Sequence, residues 1–360
     1  TVTNADGGFS LRVKDDLGAK EIEFVYLGYA NAKLALNGHD EINKTIYLVK
    51  DVITLSEVMV FSGDATELVK KAIEKIGDNY SNQTNLLTAF YRETIRKRRN
   101  YISVAESIND ISKLPYSSNM DNMDNERVQI IKGRKLISPK LSDTLGVKLQ
   151  GGPNIAIYLD IIKNPNLMLN PSLLGDYRFR VDGYIMLNDR QHYIISFVPQ
   201  ITYPYPLHEG KIYIDVENLT ISRAEFNLDM KDLGKVTQSV LRKKPANLRF
   251  KPENVSFLVS YKQIGGRSFI NYIRNEIDFK CDWKRKLFST NYAVVSEMVV
   301  IDEKHDENAK IPYKHAFKSS QAFSDKVSDF YDADFWEGYT IIEPTESLES
   351  AVNRLRKQYI

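Results

Sequence analysis

The densest concentration of side chains that could do chemistry is the basic group Arg92, Arg96, Lys97, Arg98 and Arg99. Such a cluster can meet lipid headgroup phosphates or the carboxylates of an acidic partner, each cation near an anionic surface being worth about 1 kcal/mol. Its ordinary reading is a solvated hairpin tip. Single-stranded nucleic acid would need aromatic rings interleaved with the charge, whereas Tyr91 and Tyr101 only flank it, so no nucleic-acid partner is expected. A second candidate is the loop from Pro199 to Pro206, in which Tyr203 and Tyr205 stand between prolines. Rigid tyrosines could stack on a glycan or a peptide at low entropic cost. Alternatively they cap the adjacent sheet.

Metal and acid–base chemistry have thinner support. Asp302, Glu303, His305, Asp306 and Glu307, with His315 further on, are all able to ligate zinc. The stretch is uniformly polar and interrupted by Lys304, Asn308 and Lys310, which reads as a solvated loop. His192 near Asp189 and His208 near Glu209 could form acid–base pairs, but no nucleophile motif accompanies them. Cys281, the single cysteine, lies in a strand-like stretch and reads as a buried thiol acting as a small hydrophobe. A G-x-S-x-G elbow, a phosphate-binding glycine loop, an H-E-x-x-H helix and a dinucleotide fingerprint are all missing. No catalytic residue, metal site or cofactor is therefore assigned.

The elements that must carry these residues are mostly strands. At 360 residues the chain exceeds what one core usually serves, and two domains are expected. Its 49 basic and 47 acidic side chains nearly cancel, leaving no whole-molecule field for a polyanion. No apolar run approaches the ~20 residues of a spanning helix. Phe9, Leu11 and Val13, then Ile22, Phe24 and Tyr26, then Leu34 and Leu36, then Ile46 and Leu48 alternate with polar neighbours between turns. That rhythm predicts a small antiparallel sandwich over the first sixty residues. Asp64 and Glu67 have capping-box spacing ahead of Leu68, Val69, Ala72, Ile73 and Ile76, with Gly77 placed to close the helix. Two strands flank the basic turn at 96–100, and a short helix is expected over 155–163. Residues 176–302 show successive hairpins, which predicts a meander bent into a curved antiparallel sheet or half-barrel. A last helix is introduced by Pro344 and Thr345 and shows an apolar side of Leu348, Val352 and Leu355.

Thr3-Asn4-Ala5-Asp6-Gly7-Gly8-Phe9-Ser10-Leu11, followed by Ile22-Glu23-Phe24-Val25-Tyr26-Leu27-Gly28-Tyr29, resembles the carboxypeptidase regulatory-like domain. That prealbumin-like sandwich is common in envelope proteins of Bacteroidetes type and has no peptidase activity. Asn4 stands where the family has aspartate, and the first strands of the pattern are not present, so the expected sandwich is incomplete and a leader is expected to have been removed. Residues 52–62 resemble the segment that follows this module, with a helix coming next in place of a receptor plug. The whole chain resembles proteins that join the module to a β-rich region, through Phe90-Tyr91-Arg92-Glu93 and the stretch from Phe335 to Leu348. Within that region the hairpins resemble the half-barrel of outer-membrane lipoprotein carriers.

The fold class expected is mainly β with a few helices. The division is 1–61 for the sandwich, 62–88 for a helical linker, 89–320 for the sheet and 321–360 for a tail and helix. The function expected is a non-enzymatic binding or scaffolding protein of the periplasm or outer envelope, membrane-proximal without a spanning helix. Its concave face would hold a hydrophobic ligand if no helix fills it. Two alternatives remain open. One is a structural partner that docks through an edge strand or the Tyr203–Tyr205 loop, and the other is a hydrolase whose residues converge only in three dimensions.

Overall fold

The computed structural model describes residues 1–13, 18–36, 44–51, 63–117, 126–143, 145–284, 287–306, 308–318, 322–330, 339 and 341–357. In the N-terminal stretch β1 (Glu21–Phe24) pairs antiparallel with β2 (Ala32–Ala35), Ile22 lying opposite Leu34. An isolated bridge joins Tyr29 to Lys50. The alternation at Phe9–Val13 and at Ile46–Leu48 forms no strand of its own. The segment over 52–62 lies outside the described residues.

Helix α1 (Ala65–Glu74) starts where the capping pattern puts it, the Asp64 carboxylate accepting from the Thr66 N–H at 2.8 Å. Its buried face is Ala65, Leu68, Val69 and Ala72. Lys75 ends it, and Gly77 falls inside the single turn α2 (Ile76–Asn79) that follows.

The rest is organised by one ten-stranded antiparallel sheet, open along both edges and not closed into a barrel. A hairpin of β3 (Asn85–Lys97) and β4 (Asn100–Lys113) is joined at its outer side by β5 (Arg127–Ile137). After the short β6 (Lys148–Leu149) and the helix α3 (Pro153–Tyr158), the strands β7 (Tyr177–Leu187), β8 (Arg190–Pro199), β9 (His208–Asp215) and β10 (Ile221–Leu228) form a meander. Helix α4 (Leu233–Val240) and β11 (Leu241–Lys243) intervene before the long strands β12 (Leu248–Ile264), β13 (Arg267–Trp283) and β14 (Thr290–His305). The meander expected over 176–302 is therefore present, and it continues, because β14 also pairs with β3, Ser296 lying opposite Glu93. The spatial order is β5-β4-β3-β14-β13-β12-β10-β9-β8-β7.

This order has a topological consequence. The chain leaves β5 on one edge and re-enters as β7 on the other, so residues 138–176 must cross the whole sheet. Nine inter-strand spacings amount to about 43 Å. A crossover of that length cannot avoid one face, and its sequence is apolar enough to bury there: Ala156, Ile157, Leu159, Ile161, Ile162, Leu167, Met168, Leu169 and Leu174 are all buried. They share a core with Leu87, Ala89 and Tyr91 of β3, Ile195 and Phe197 of β8, and Val259 and Tyr261 of β12. The helix expected over 155–163 stops at Tyr158, because the Asp160 side chain takes the N–H groups of Ile162 and Lys163 at 3.3 and 3.4 Å. The crossover helix begins at Gly152, whose φ of +91° and approach to the Phe317 ring leave no room for a Cβ, which would sit 2.9 Å from that ring.

Helix α5 (Phe323–Lys326) adds Phe323 to the same core. The opposite face is covered near β4 by α6 (Glu346–Arg356), whose Thr345 hydroxyl accepts from the Leu348 N–H at 3.2 Å. Leu348, Val352 and Leu355 pack on Val104, as their spacing predicts.

Candidate functional site

The covered face is where a ligand trough was expected, and it is occupied by the protein itself. Among the described residues the two best cavities measure about 40 and 10 Å³. Sites for drug-sized ligands run to about 300–1,000 Å³, so the larger is water-sized. The smaller lies between Ile157, Asp160, Lys113 and Ile273, directly beneath the crossover.

A buried polar cluster fastens the crossover to the sheet. Lys113, at the end of β4, reaches Glu126 at 2.8 Å and Asp160 at 2.9 Å, and all three side chains are at most 3% exposed. Burial works against the ammonium, but the charges of Asp160 and Glu126 outweigh it and its pKa is raised. The Tyr261 hydroxyl of β12 donates to Asp160 at 2.7 Å, and the Leu114 N–H donates to Glu126 at 3.1 Å. Lys163 adds a hydrogen bond from its ammonium to the Pro115 carbonyl. Four parts of the chain, β4, the residue ahead of β5, the crossover and β12, are thus tied at one point. The spacing of these residues gave no motif. The one available signal was Asp160 itself, a carboxylate interrupting the apolar run Ile155–Ile162.

A second desolvated acid lies under the crossover's start. Desolvation raises the Glu93 carboxyl to about 7, opposed by the Tyr91 hydroxyl, the Gly152 N–H and Lys135. Tyr91 donates to Glu93 at 3.4 Å and accepts from the Gly152 N–H at 3.2 Å. Glu93 therefore adjoins the Gly151-Gly152 entry to α3.

The structure separates the basic candidates. Arg92 is withdrawn from the group: it is 2% exposed, pairs with Glu106 at 2.7 Å and donates to the Ile342 carbonyl at 2.7 Å. Its neighbours in β3 explain this, because in a strand Arg92 shares the face of buried Phe90. Glu106 also binds Arg134 at 2.5 Å. Arg96 is half-buried, its guanidinium 5.9 Å from the Tyr101 ring centroid. Only Arg98 and Arg99 form the exposed hairpin tip, with Arg98 at a φ of +56°.

Tyr203 and Tyr205 are brought together, their rings stacked at 5.2 Å and 16°. Tyr203 donates to Asp176 at 2.8 Å, beside the start of β7, while Tyr205 remains 53% exposed.

The histidines sit in structural networks. His208 is buried, and its Nδ1 donates to the Leu167 carbonyl of the crossover at 3.0 Å. Desolvation pushes its pKa down to about 4. His192 is also buried; Nδ1 donates to the Arg190 carbonyl at 2.9 Å, and Nε2 meets the Ser222 hydroxyl at 2.8 Å. A serine and a histidine at hydrogen-bond distance have the outline of a nucleophile and its base. Here they line the 40 Å³ cavity with Asp215, whose carboxylate is engaged by Arg190 and by the Glu217 and Asn218 N–H groups of the β9–β10 turn.

The acidic run does not gather, and most of it is strand where a solvated loop was expected: Asp302, Glu303 and His305 end β14, paired with β3. His305 bonds the Thr84 carbonyl at 3.2 Å, Asp306 accepts from the Asn308 N–H, and Glu307 lies outside the described residues. Among the described residues no three His, Cys, Asp or Glu side chains are grouped to hold a metal ion. Cys281 is buried in β13, and desolvation pushes its thiol up to about 11.

No described helix is long and apolar enough to cross a membrane. No family model matches the chain, so the carboxypeptidase regulatory-like resemblance is not supported, and no curated protein matches it. Among solved structures, a DUF1329 family protein from Desulfovibrio piger is similar at 10% identity, with 69% of this chain and 96% of that one covered and a TM-score of 0.29. A putative outer membrane lipoprotein-sorting protein domain from Vibrio parahaemolyticus shows 8% identity, coverage of 69% and 94%, and a TM-score of 0.30. A LolA superfamily protein from Nitrosomonas europaea shows 12% identity, coverage of 71% and 99%, and a TM-score of 0.23. Two of these are of the lipoprotein-carrier kind that the hairpin rhythm resembles, but likenesses at such TM-scores carry no argument about what this chain binds.

Proposed function

We propose that this protein is a non-enzymatic binding or scaffolding protein of the cell envelope that engages a protein partner along the β7 edge. The observation that carries the reading is the filled face: buried apolar side chains of the crossover pack against the sheet, and the cavity found beneath them among the described residues measures about 10 Å³. Binding then falls to outward surfaces. Strand β7 ends the sheet with a row of outward N–H and C=O groups. Among the described residues the N-terminal stretch meets that row through one backbone bond, from the Gly28 N–H to the Met186 carbonyl at 2.8 Å. At the other end of β7 stand Tyr203 and the exposed Tyr205, with Gln200 donating to the Tyr177 carbonyl at 3.2 Å. An extended peptide added to β7 would gain main-chain hydrogen bonds and an aromatic contact at one corner. The envelope placement rests on the resemblance of the hairpins to the half-barrel of outer-membrane lipoprotein carriers, and the division into an N-terminal module over 1–61 and a sheet domain over 89–320 is part of the same proposal.

Photo-crosslinking in intact cells tests this. A benzophenone side chain at Arg180 on β7 and another at Tyr205 are expected to trap the same protein, while one at Lys70 on α1 traps none. Distinct or absent adducts at the two positions would overturn the edge reading. A stoichiometric lipid in an organic extract of the purified protein would instead restore the ligand trough.

A further inference from the structure

We propose that the end of the sheet bearing the β13–β14 turn docks on an anionic phospholipid bilayer, inserting Leu287 and Phe288. These are two of the most exposed large apolar side chains described, at 94% and 77%. They follow one another in the turn beyond the last β13–β14 pair, Cys281 with Thr290. Isolated exposed apolar residues need no explanation, but these two stand at a tip surrounded by cations. The β3–β4 tip lies alongside, the Arg98 N–H donating to the Asn291 carbonyl at 2.8 Å, and it presents Arg98 and Arg99 to solvent. On the other side the Lys284 N–H donates to the Asn247 carbonyl at 3.1 Å, which brings in the exposed Arg249 of β12 and the exposed Lys244, whose ammonium donates to the Leu248 carbonyl at 2.9 Å. Among the described residues there, Asp282 is an exposed acid, opposite Arg249 in register, and the half-buried Asp143 pairs with Lys97 at 3.2 Å.

The chemistry fits a bilayer surface for two reasons. Apolar side chains enter the boundary between headgroups and acyl chains while flanking Lys and Arg stay at headgroup level. Each such cation adds about a fivefold preference for an anionic surface. A protruding tip also suits a deformable bilayer, whereas a protein partner would have to offer a matching pocket. This inference is independent of the β7 edge, which runs along the far side of the sheet from β3, so either can fail alone.

Co-sedimentation of the intact chain with vesicles tests it. Vesicles of phosphatidylcholine with phosphatidylglycerol are expected to bind it, and phosphatidylcholine alone is expected to bind it at least about twentyfold less, as several cations acting together require. Replacing Leu287 and Phe288 together by serine should weaken binding about tenfold or more without altering thermal stability, since both are exposed. Arg98→Asn with Arg99→Ser should weaken it about twentyfold, and raising salt from about 0.1 to about 1 M, which shortens the Debye length from about 10 to about 3 Å, should do the same. In Phe288→Trp, lipids brominated near the top of the acyl chain should quench the added fluorescence relative to the parent. Absence of binding to the anionic vesicles would overturn the proposal. So would binding that needs the arginines but survives the double serine change with Phe288→Trp unquenched, the signature of electrostatic adsorption without insertion.

Discussion

Replacing Lys113 by methionine is expected to lower the unfolding free energy by about 3–5 kcal/mol, the usual effect of removing one partner from a buried ion pair. The size follows from what stays behind. Glu126 and Asp160 would face each other with their shared cation gone, each at most 2% exposed. Both keep hydrogen bonds, from the Leu114 N–H and from Tyr261, but neither bond neutralises a charge. The carboxylates must then take up a proton or open the crossover to water. Asp160→Asn in the Lys113→Met background should therefore cost much less than Asp160→Asn alone, because it removes one of the stranded charges. Urea unfolding of the four proteins in this cycle provides the coupling energy. Additive losses would mean that Lys113 does not hold the crossover through Asp160.

The second large effect concerns Glu93 and is a pH effect. Its carboxyl titrates at about 7 in the folded chain against 4.5 when unfolded. Between those values the folded state holds the extra proton, so stability falls as pH rises through the window. The penalty is absent below pH 4.5 and complete above 7, and it amounts to about 3 kcal/mol at 1.36 kcal/mol per unit. His208 has the opposite sense. Its folded value of about 4 lies below the ordinary 6.5, the unfolded chain holds the extra proton, and stability rises with pH between those limits. The two nearly cancel where they overlap, which hides both in the parent protein. Glu93→Gln separates them. The variant should match the parent at pH 4.5 and exceed it by about 3 kcal/mol at pH 8, measured by urea unfolding at each pH. A constant difference across the range would show that Glu93 is ionised throughout and that its contact with Tyr91 is ordinary. Because Glu93 adjoins the Gly151-Gly152 entry, its ionisation would loosen the crossover first at α3.

What could be read from the sequence is what depends on near neighbours in the chain. The β8 and β9–β10 strands announced themselves through two-residue alternation and turn residues. Helices α1 and α6 were legible because Asp64 and Thr345 cap them and their apolar residues recur on one side. The pairing of β14 with β3 was not legible, since Ser296 and Glu93 are brought together by the whole intervening sheet. Once that pairing is unknown, so is the need for a crossover, and residues 138–176 read only as a short helix with turns. The same gap explains the candidate sites. Proximity in the chain groups Arg92 with Arg96 to Arg99, although its place beside Phe90 in a strand assigns it to a buried face. Lys113, Glu126, Asp160 and Tyr261 converge from separate elements, and nothing in their individual contexts except the apolar run around Asp160 marks them. His192 and Ser222 meet only because β8, β9 and β10 are consecutive in the sheet.

The tyrosine loop illustrates a mixed outcome. The prolines mark it as stiff, and in the structure the two rings stack at 5.2 Å while Tyr203 is tied to Asp176 beside the start of β7. Tyr205 keeps enough exposure to take part in binding. Capping and docking are therefore compatible in one loop, each carried by a different ring.

Amide hydrogen exchange on the crossover tests the self-filled face most directly. If residues 159–169 belong to the core, the N–H groups of Ile162, Asn164 and Leu169, bonded to Tyr261, Asp160 and Pro165, should exchange only by global unfolding and track the urea dependence of the β12 and β13 amides. Exchange of those three amides through a low-energy local opening, with little urea dependence while the sheet stays protected, would show that the crossover is a lid standing over a trough.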